Sequence, residues 1–238
     1  MLLIADIDWV RYNASYVKQD EEPKSLEEVY ESIDFYITQL FNETEADEYI
    51  LCLTIGSNFR YTIFPDYKKG RKGKEKPNYF KEITDYITTN YNCAYGNNWE
   101  ADDYIATYAK LYPGCIIAHV DKDINQVPSS LHYNSKSKEF YEVSIEEAKK
   151  LFYISLLTGD SGDGIPGCPQ RGIKFAEKLL TQCLELGVNF LTEIIQEYIK
   201  IFGEEIGIQK FYEAYMCLKL KEDANFELVL PRKIDNND

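Results

Sequence analysis

Apolar residues along the chain follow two rhythms. Short unbroken runs, Leu2 to Ala5, Tyr49 to Ile55 and Cys115 to Val120, predict buried strands. Elsewhere the spacing changes to three and four. Leu26, Val29, Tyr30, Ile33, Tyr36, Ile37 and Leu40 predict a helix over Ser25 to Phe41. Helices are also predicted over Tyr79 to Thr89 and over Trp99 to Tyr112, the second stopped by Pro113-Gly114. Leu131 to Tyr133 and Glu139 to Val143 predict a hairpin around Asn134-Ser135-Lys136. From Ser144 the pattern is helical, and Ser144 with Glu147 has capping-box spacing. Pro65 to Pro77 carries almost no apolar residue and reads as a loop or loosely helical arm.

Strands alternating with helices over the first half predict an α/β fold with a mainly parallel central sheet. The helical second half predicts a subdomain packed on it. The expected division is residues 1–143, with a basic arch at about 65–90, and residues 144–238. No Gly/Ser linker separates the two, so one compact unit is expected.

Composition narrows the classes. Of 238 residues, 45% are hydrophobic and 28% charged, which argues against pervasive disorder. No apolar run reaches the length of a membrane span. The start, MLLIADIDWVR, has no basic leader or small-residue cleavage site, so it reads as a strand rather than a signal peptide. The six cysteines are scattered among apolar neighbours without a CxxC pair, which suits reduced thiols in a cytoplasmic protein. A net charge of −14 argues against a non-specific nucleic-acid binder, unless the basic residues are concentrated.

They are concentrated. Lys68, Lys69, Arg71, Lys72, Lys74 and Lys76 sit together against the single acid Glu75. A solvated charge run is the plain alternative, but this one stands out from an acidic background. Such an arm beside an acidic metal pocket is what a phosphate-backbone substrate needs.

The acids are grouped too. Asp6 and Asp8 follow the first strand, and Asp121 and Asp123 follow the third apolar run. Glu100, Asp102 and Asp103 open a helix, and Asp160 and Asp163 lie in the turn TGDSGDGIPG. A lone Asp after a strand is usually a turn former or cap. Four such segments in an α/β frame point instead to a shared site beyond the strand ends. Gathered carboxylates repel, and a cation removes that cost. Oxygen-only ligands suit Mg²⁺ or Mn²⁺, and two ions roughly 4 Å apart form the clamp that cleaves phosphodiesters. The Gly-rich turn runs into a helix over Gly172 to Thr181, whose N-terminus, with Arg171, Lys174 and Lys178, can hold a phosphate.

TGDSGDGIPG followed by GIKFAEKLL resembles the helix–three-turn–helix motif of the 5′ nuclease (flap endonuclease) superfamily. Asp6, the run PDYKKGR from Pro65 to Arg71, Glu100-Ala101-Asp102-Asp103 and Asp121-Lys122-Asp123 agree in order and spacing. Trp9 and the run TIGSNFRYTIFPDYKKGRK are similar to the short 5′→3′ exonucleases of tailed phages. The resemblance implies a PIN-like nuclease core, two Mg²⁺ or Mn²⁺ ions and a K⁺ ion in the helix–three-turn–helix motif. The substrates implied are DNA with 5′ ends or flaps, or RNA/DNA hybrid. It implies a monomer acting in phage replication or primer removal, in the cytoplasm of a bacterial host. By motif match, Asp6, Glu100, Asp102, Asp103, Asp121, Asp123, Asp160 and Asp163 become metal-site residues. Lys68 and Arg71 become catalytic, and Tyr67, Lys69, Lys72, Lys74, Arg171 and Lys174 contact DNA.

Three departures stand out. Ile55, or Gly56, stands where relatives carry another Asp, and Gln170 and Arg171 replace the usual Gly and Ile. Phe175 stands where Thr is usual. The rival reading that follows is a nuclease-like protein that binds branched nucleic acid and cuts poorly. A small toxin-type ribonuclease fails on the helical half, and an acidic interaction module fails on the spacing of the acids. His119 and His132 are expected to be structural.

Overall fold

A computed structural model describes residues 1–18, 22–71 and 73–234, apart from the side chain of Ser130. Lys72, one of the expected DNA contacts, lies outside the described residues. In chain order the first elements are β1 (Leu2–Asp6), α1 (Asp8–Asn13), α2 (Leu26–Thr44), β2 (Glu48–Cys52), α3 (Arg60–Ile63), α4 (Phe80–Asn90) and β3 (Cys93–Ala94). Then come α5 (Ala101–Leu111), β4 (Ile116–His119), β5 (Ser129–Asn134), β6 (Glu139–Val143) and α6 (Ile145–Thr158). The last are β7 (Gly159–Asp160), β8 (Ile165–Pro166), α7 (Ile173–Leu186), α8 (Phe190–Phe202), α9 (Glu204–Leu218) and β9 (Arg232–Lys233).

The chain divides into two compact units, Met1–Ser57 with Lys74–Val143 and Lys221–Asp238, and Asn58–Gly73 with Ser144–Leu220. This corrects the expected boundaries. Residues 58–73 belong to the helical unit because Arg60 is buried there, its Nε donating to the Cys217 carbonyl at 2.8 Å. The stretch from Lys221 belongs to the sheet unit, where Val229 N donates to the Tyr108 hydroxyl at 2.9 Å and β9 pairs with β2. The expected arch is also shorter than 65–90. Residues of α4 belong to the sheet unit, with Ile83 and Ile87 in its core.

The sheet unit has strand order β3-β2-β1-β4-β5-β6, parallel through β5 and antiparallel at β6. The inner strands read as unbroken apolar runs because both their faces are buried. Leu3, Ala5, Leu51, Ile116 and Ala118 meet Val29, Ile33 and Ile37 of α2 in one core. Ser25 caps α2 in a reciprocal box with Glu28, whose amide donates to Ser25 Oγ. Parallel pairing places the carboxyl ends of β1 and β4 side by side, and Asp6 and Asp121 follow from that register.

In the helical unit Leu156, Ala176, Ile194, Tyr198 and Ala214 form the centre of a second core. The Gly-rich turn between α6 and α7 closes as a small antiparallel ribbon, with Gly159 opposite Pro166. A Cβ at Gly159 or Gly167 would fall within 2.4 Å of backbone atoms, so the crossing admits only glycine at both positions. All six cysteines are buried, as their apolar neighbours suggested. Among the described residues, no helix is long and apolar enough to cross a membrane.

Candidate active site

In the sheet unit the acids gather where β1 and β4 end. The Asp8 amide donates to Asp6 Oδ1 at 2.9 Å, folding the chain over the strand end. Asp8 in turn accepts the Thr54 amide at 3.1 Å and Arg11 Nη1 at 2.8 Å. The same Arg11 nitrogen donates to the Thr54 carbonyl at 2.6 Å, and its guanidinium lies 4.5 Å over the Phe80 ring. Asp121 Oδ1 accepts the Asp123 amide at 2.9 Å, which turns the loop after β4.

Burial pushes Asp6 up to about 8, and the charges of Asp8 and Asp121 push the same way. The Cys52 thiol beneath is pushed up by burial and then by Asp6, Cys93, Asp102 and Asp8. Asp6, Asp8, Asp102 and Asp121 therefore share one negative field. A cation at this place would relieve the repulsion, and the donors are hard oxygens, which fit Mg²⁺ or Mn²⁺. Among the described residues, no three His, Cys, Asp or Glu side chains are gathered tightly enough to hold an ion by themselves. Mg²⁺ usually takes only one or two carboxylates and fills its shell with water and phosphate oxygens, so the set still fits.

The other acids of this unit have different partners. Asp103 is fully buried, and its carboxylate accepts the Glu100 amide at 3.1 Å and the Lys221 amide at 2.9 Å. With Glu100 it forms a reciprocal cap on α5. Each oxygen of Asp103 thus accepts from backbone, which makes it a clasp for the chain at Lys221. Asp123 pairs with Lys122 at 2.7 Å.

Asp160 and Asp163 belong to the helical unit and are described there. Asp160 Oδ1 accepts the amides of Gly162 at 2.6 Å and Asp163 at 3.2 Å, which shapes the Gly-rich turn. Asp163 accepts the Tyr67 hydroxyl at 2.8 Å and Arg71 Nη2 at 2.9 Å, with Lys68 Nζ at 3.7 Å. The Lys68 amide also donates to the Asp163 carbonyl at 2.7 Å. The two residues expected to be catalytic are therefore bound to one acid of the Gly-rich turn.

Tyr67 does not line an open arch. Its ring is buried in the helical core and meets Tyr61 edge-on at 5.5 Å. Arg171 is turned to the buried Glu197, Nε to Oε2 at 2.7 Å, and lies 4.4 Å over Phe175. Lys69 pairs with Asp66 at 3.1 Å on the surface, and Lys74 and Lys174 are exposed. Gln170, standing where Gly is usual, keeps the left-handed backbone at φ 63°.

Ile55 packs against the sheet core and supplies no oxygen. Thr54 beside it does more, since its hydroxyl also accepts the Ala101 amide at 2.9 Å and ties the strand end to α5. The sequence pattern did not single out Arg11 or Thr54. Arg11 had a signal, because a cation three residues after Asp8 lies on the same face of a helical turn.

His119 lies in β4 and His132 in β5. They meet at 2.9 Å, Nε2 to Nδ1, on one face of three adjacent strands, with Tyr141 as the third member. Carbonyls only accept, so His119 donates from Nδ1 to Asp121 O at 2.6 Å, and His132 donates from Nε2 to Val127 O at 2.8 Å. Burial holds both rings below the ordinary histidine range, His119 at about 4.

The family model described as 5′-3′ exonuclease, N-terminal resolvase-like domain, matches residues 3–151. Flap endonuclease Xni of Shewanella pealeana is 34% identical over 183 residues, covering 70% of this chain and 70% of that protein. Flap endonuclease Xni of Shewanella sp. strain W3-18-1 is 30% identical over 147 residues, covering 56% of each. Among solved structures, the bacteriophage T5 D15 flap endonuclease, in a pseudo-enzyme-product complex with DNA and metal ions, superposes with a TM-score of 0.69. That alignment has 17% identity and covers 91% of this chain and 89% of that one, a likeness of fold.

Proposed function

The chain belongs to the 5′-3′ exonuclease family, and from that membership we propose a divalent-metal-dependent 5′→3′ exonuclease that also cuts flaps. Its substrate is DNA near 5′ ends, with RNA/DNA hybrid as a second, and its role is primer removal or phage replication in a bacterial cytoplasm. The observation that carries the reading is Asp6, a buried acid at a strand end, driven up to about 8 by burial and by neighbouring carboxylates. Groups so perturbed beyond the ends of parallel strands mark functional sites. The T5 relative of this fold is solved with DNA and metal ions.

Asp6, Asp102 and Asp121 would hold Mg²⁺ or Mn²⁺, with Asp8 and Asp123 at the margin. When bound, the ions supply Lewis acidity that activates water and stabilises charge on the leaving 3′ oxygen. Arg11 and Thr54 fix Asp8, so one carboxylate keeps its place whatever the load. Lys68 and Arg71 offer positive charge to the scissile phosphate, and Asp163 orients both. Lys69, Lys74 and Lys174 add phosphate contacts that read no sequence. A K⁺ ion at the Gly-rich turn belongs to the same proposal.

The test is a digest of flap and duplex DNA labelled at either end, with Mg²⁺ and then with EDTA. Short 5′-labelled products that require the metal are expected. Undiminished cleavage in EDTA, or release from the 3′ end, overturns the reading.

A further inference from the structure

The loop from Asp121 to Val127 carries two of the acids and is bound from beneath at three points. His119 of β4 donates to the Asp121 carbonyl, and His132 of β5 donates to the Val127 carbonyl, at 2.6 and 2.8 Å. Tyr141 of β6 donates to Asn125 Oδ1 at 2.7 Å. The three side chains pack against each other, with His119 Nε2 within 2.9 Å of both His132 Nδ1 and the Tyr141 hydroxyl. His132 and Tyr141 also stack, with centroids 5.3 Å apart. Both histidines are all but excluded from solvent.

Burying imidazoles and a phenol costs more than burying aliphatic side chains of similar size unless their polar atoms are bonded. Val, Leu and Ile would fill this face of the sheet at lower cost. What they could not do is bond the loop. Asp121 takes its place beside Asp6 at one end of that loop. We infer that His119, His132 and Tyr141 are positioning residues, a buried clamp that sets the Asp121 loop and so the aim of the Asp121 carboxylate. The catalytic consequence rests on the nuclease reading above, whereas the effect on the loop does not.

The test compares His132→Leu, His132→Gln and Tyr141→Phe in the full chain. A glutamine amide can still donate to the Val127 carbonyl, whereas leucine cannot. Amide hydrogen exchange probes the clamp directly. Faster exchange over residues 121–127 in His132→Leu, recovered in His132→Gln and with the rest of the sheet unit unchanged, supports it. Unchanged exchange in that loop overturns it. Mn²⁺ binding without nucleic acid and single-turnover cleavage then test the consequence. Partners of metal ligands typically matter about 10- to 100-fold. His132→Leu should weaken Mn²⁺ binding and slow cleavage on that scale, well below its melting temperature and with DNA affinity in Ca²⁺ held within about twofold. Tyr141→Phe should fall between it and wild type. Leucine and glutamine variants equal in every readout would overturn the inference. A wild-type chain that neither binds Mn²⁺ nor cuts would sink the nuclease reading, with exchange still deciding the clamp.

Discussion

Aspartates of the same motif family live in opposite surroundings in the two units. Asp6 in the sheet unit faces burial and the charges of Asp8 and Asp121, and it is driven up to about 8. Asp163 in the helical unit accepts the Tyr67 hydroxyl and Arg71, with Lys68 near. The first environment stores repulsion that a cation would release. The second already holds its cations as side chains. A motif therefore reports where acids stand along the chain, and their neighbours in space decide which of them await a metal.

The sharpest way to break this contrast is to neutralise one acid of each kind. Asp121→Asn should cost at least about 100-fold in single-turnover rate, the usual scale for losing one such stabilising group. DNA binding should hold or tighten as negative charge leaves. A near-normal rate would reduce Asp121 to a turn former. Stability should separate the two environments by sign. Asp6 has a raised pKa, so the metal-free fold loses stability as pH rises through about 8. Asp6→Asn keeps the Oδ1 acceptor for Asp8 and should raise the melting temperature in EDTA above pH 8. Asp163→Asn removes the negative charge that faces Lys68 and Arg71 and should lower it, by roughly 1–2 kcal/mol. Equal signs would end the comparison.

How much of this was legible in the sequence depends on range. Helices α4 and α5 fall within two residues of the periodicity, because one amphipathic face records the core they cover. The strand after Tyr49 ends earlier than predicted, at Cys52, since the apolar run continues into the turn that Thr54 pins. β3 escaped notice because two residues carry no period. The site was read as one set of eight equivalent acids. Spacing placed them, but it could not show that Lys221 closes on Asp103, or that Arg71 closes on Asp163, 118 and 92 residues away along the chain. Tyr67 was misread for the same reason. Its neighbours in sequence are basic, and its neighbours in space are the helical core.

The arm supplies the next division. Lys68→Ala and Arg71→Ala should slow the cleavage step about tenfold, since both are oriented by Asp163. Lys74→Ala, exposed and in the other unit, should weaken binding and flatten its salt dependence by about one unit of slope. Matching effects at all three positions would make the arm a mere electrostatic patch.

Ile55 tests whether the sheet unit lacks an acid. Its contact with the core predicts that Ile55→Asp lowers thermal stability by burying a carboxylate. If the metal site is also short of one oxygen, the half-saturating Mg²⁺ concentration should drop severalfold in the same variant. A raised or unchanged value, with lower stability, would mean that Asp8, fixed by Arg11 and Thr54, already completes the set.

The smallest effect concerns an acid whose compensation is internal. Glu197 is buried in the helical unit and takes Arg171 at 2.7 Å and Lys200 at 2.5 Å. Burial alone would raise its pKa, but the hydrogen bonds and charges of Lys200 and Arg171 outweigh it and hold the carboxyl below the ordinary glutamate value of 4.5. A carboxyl lowered on folding stabilises the fold above its unfolded value, and that stability is lost as pH falls through the folded one. Melting temperature should therefore decline below about pH 4.5 in the wild type, and less steeply in Glu197→Gln. At neutral pH that variant should lose roughly 1 kcal/mol, because Lys200 is mostly exposed and only Arg171 is left short of an ionic partner. Freed from Glu197, Arg171 should also become available to phosphate, so DNA binding should tighten slightly at low salt. If binding does not change, Arg171 is a strut of the turn, and the expected DNA contact at that position is withdrawn.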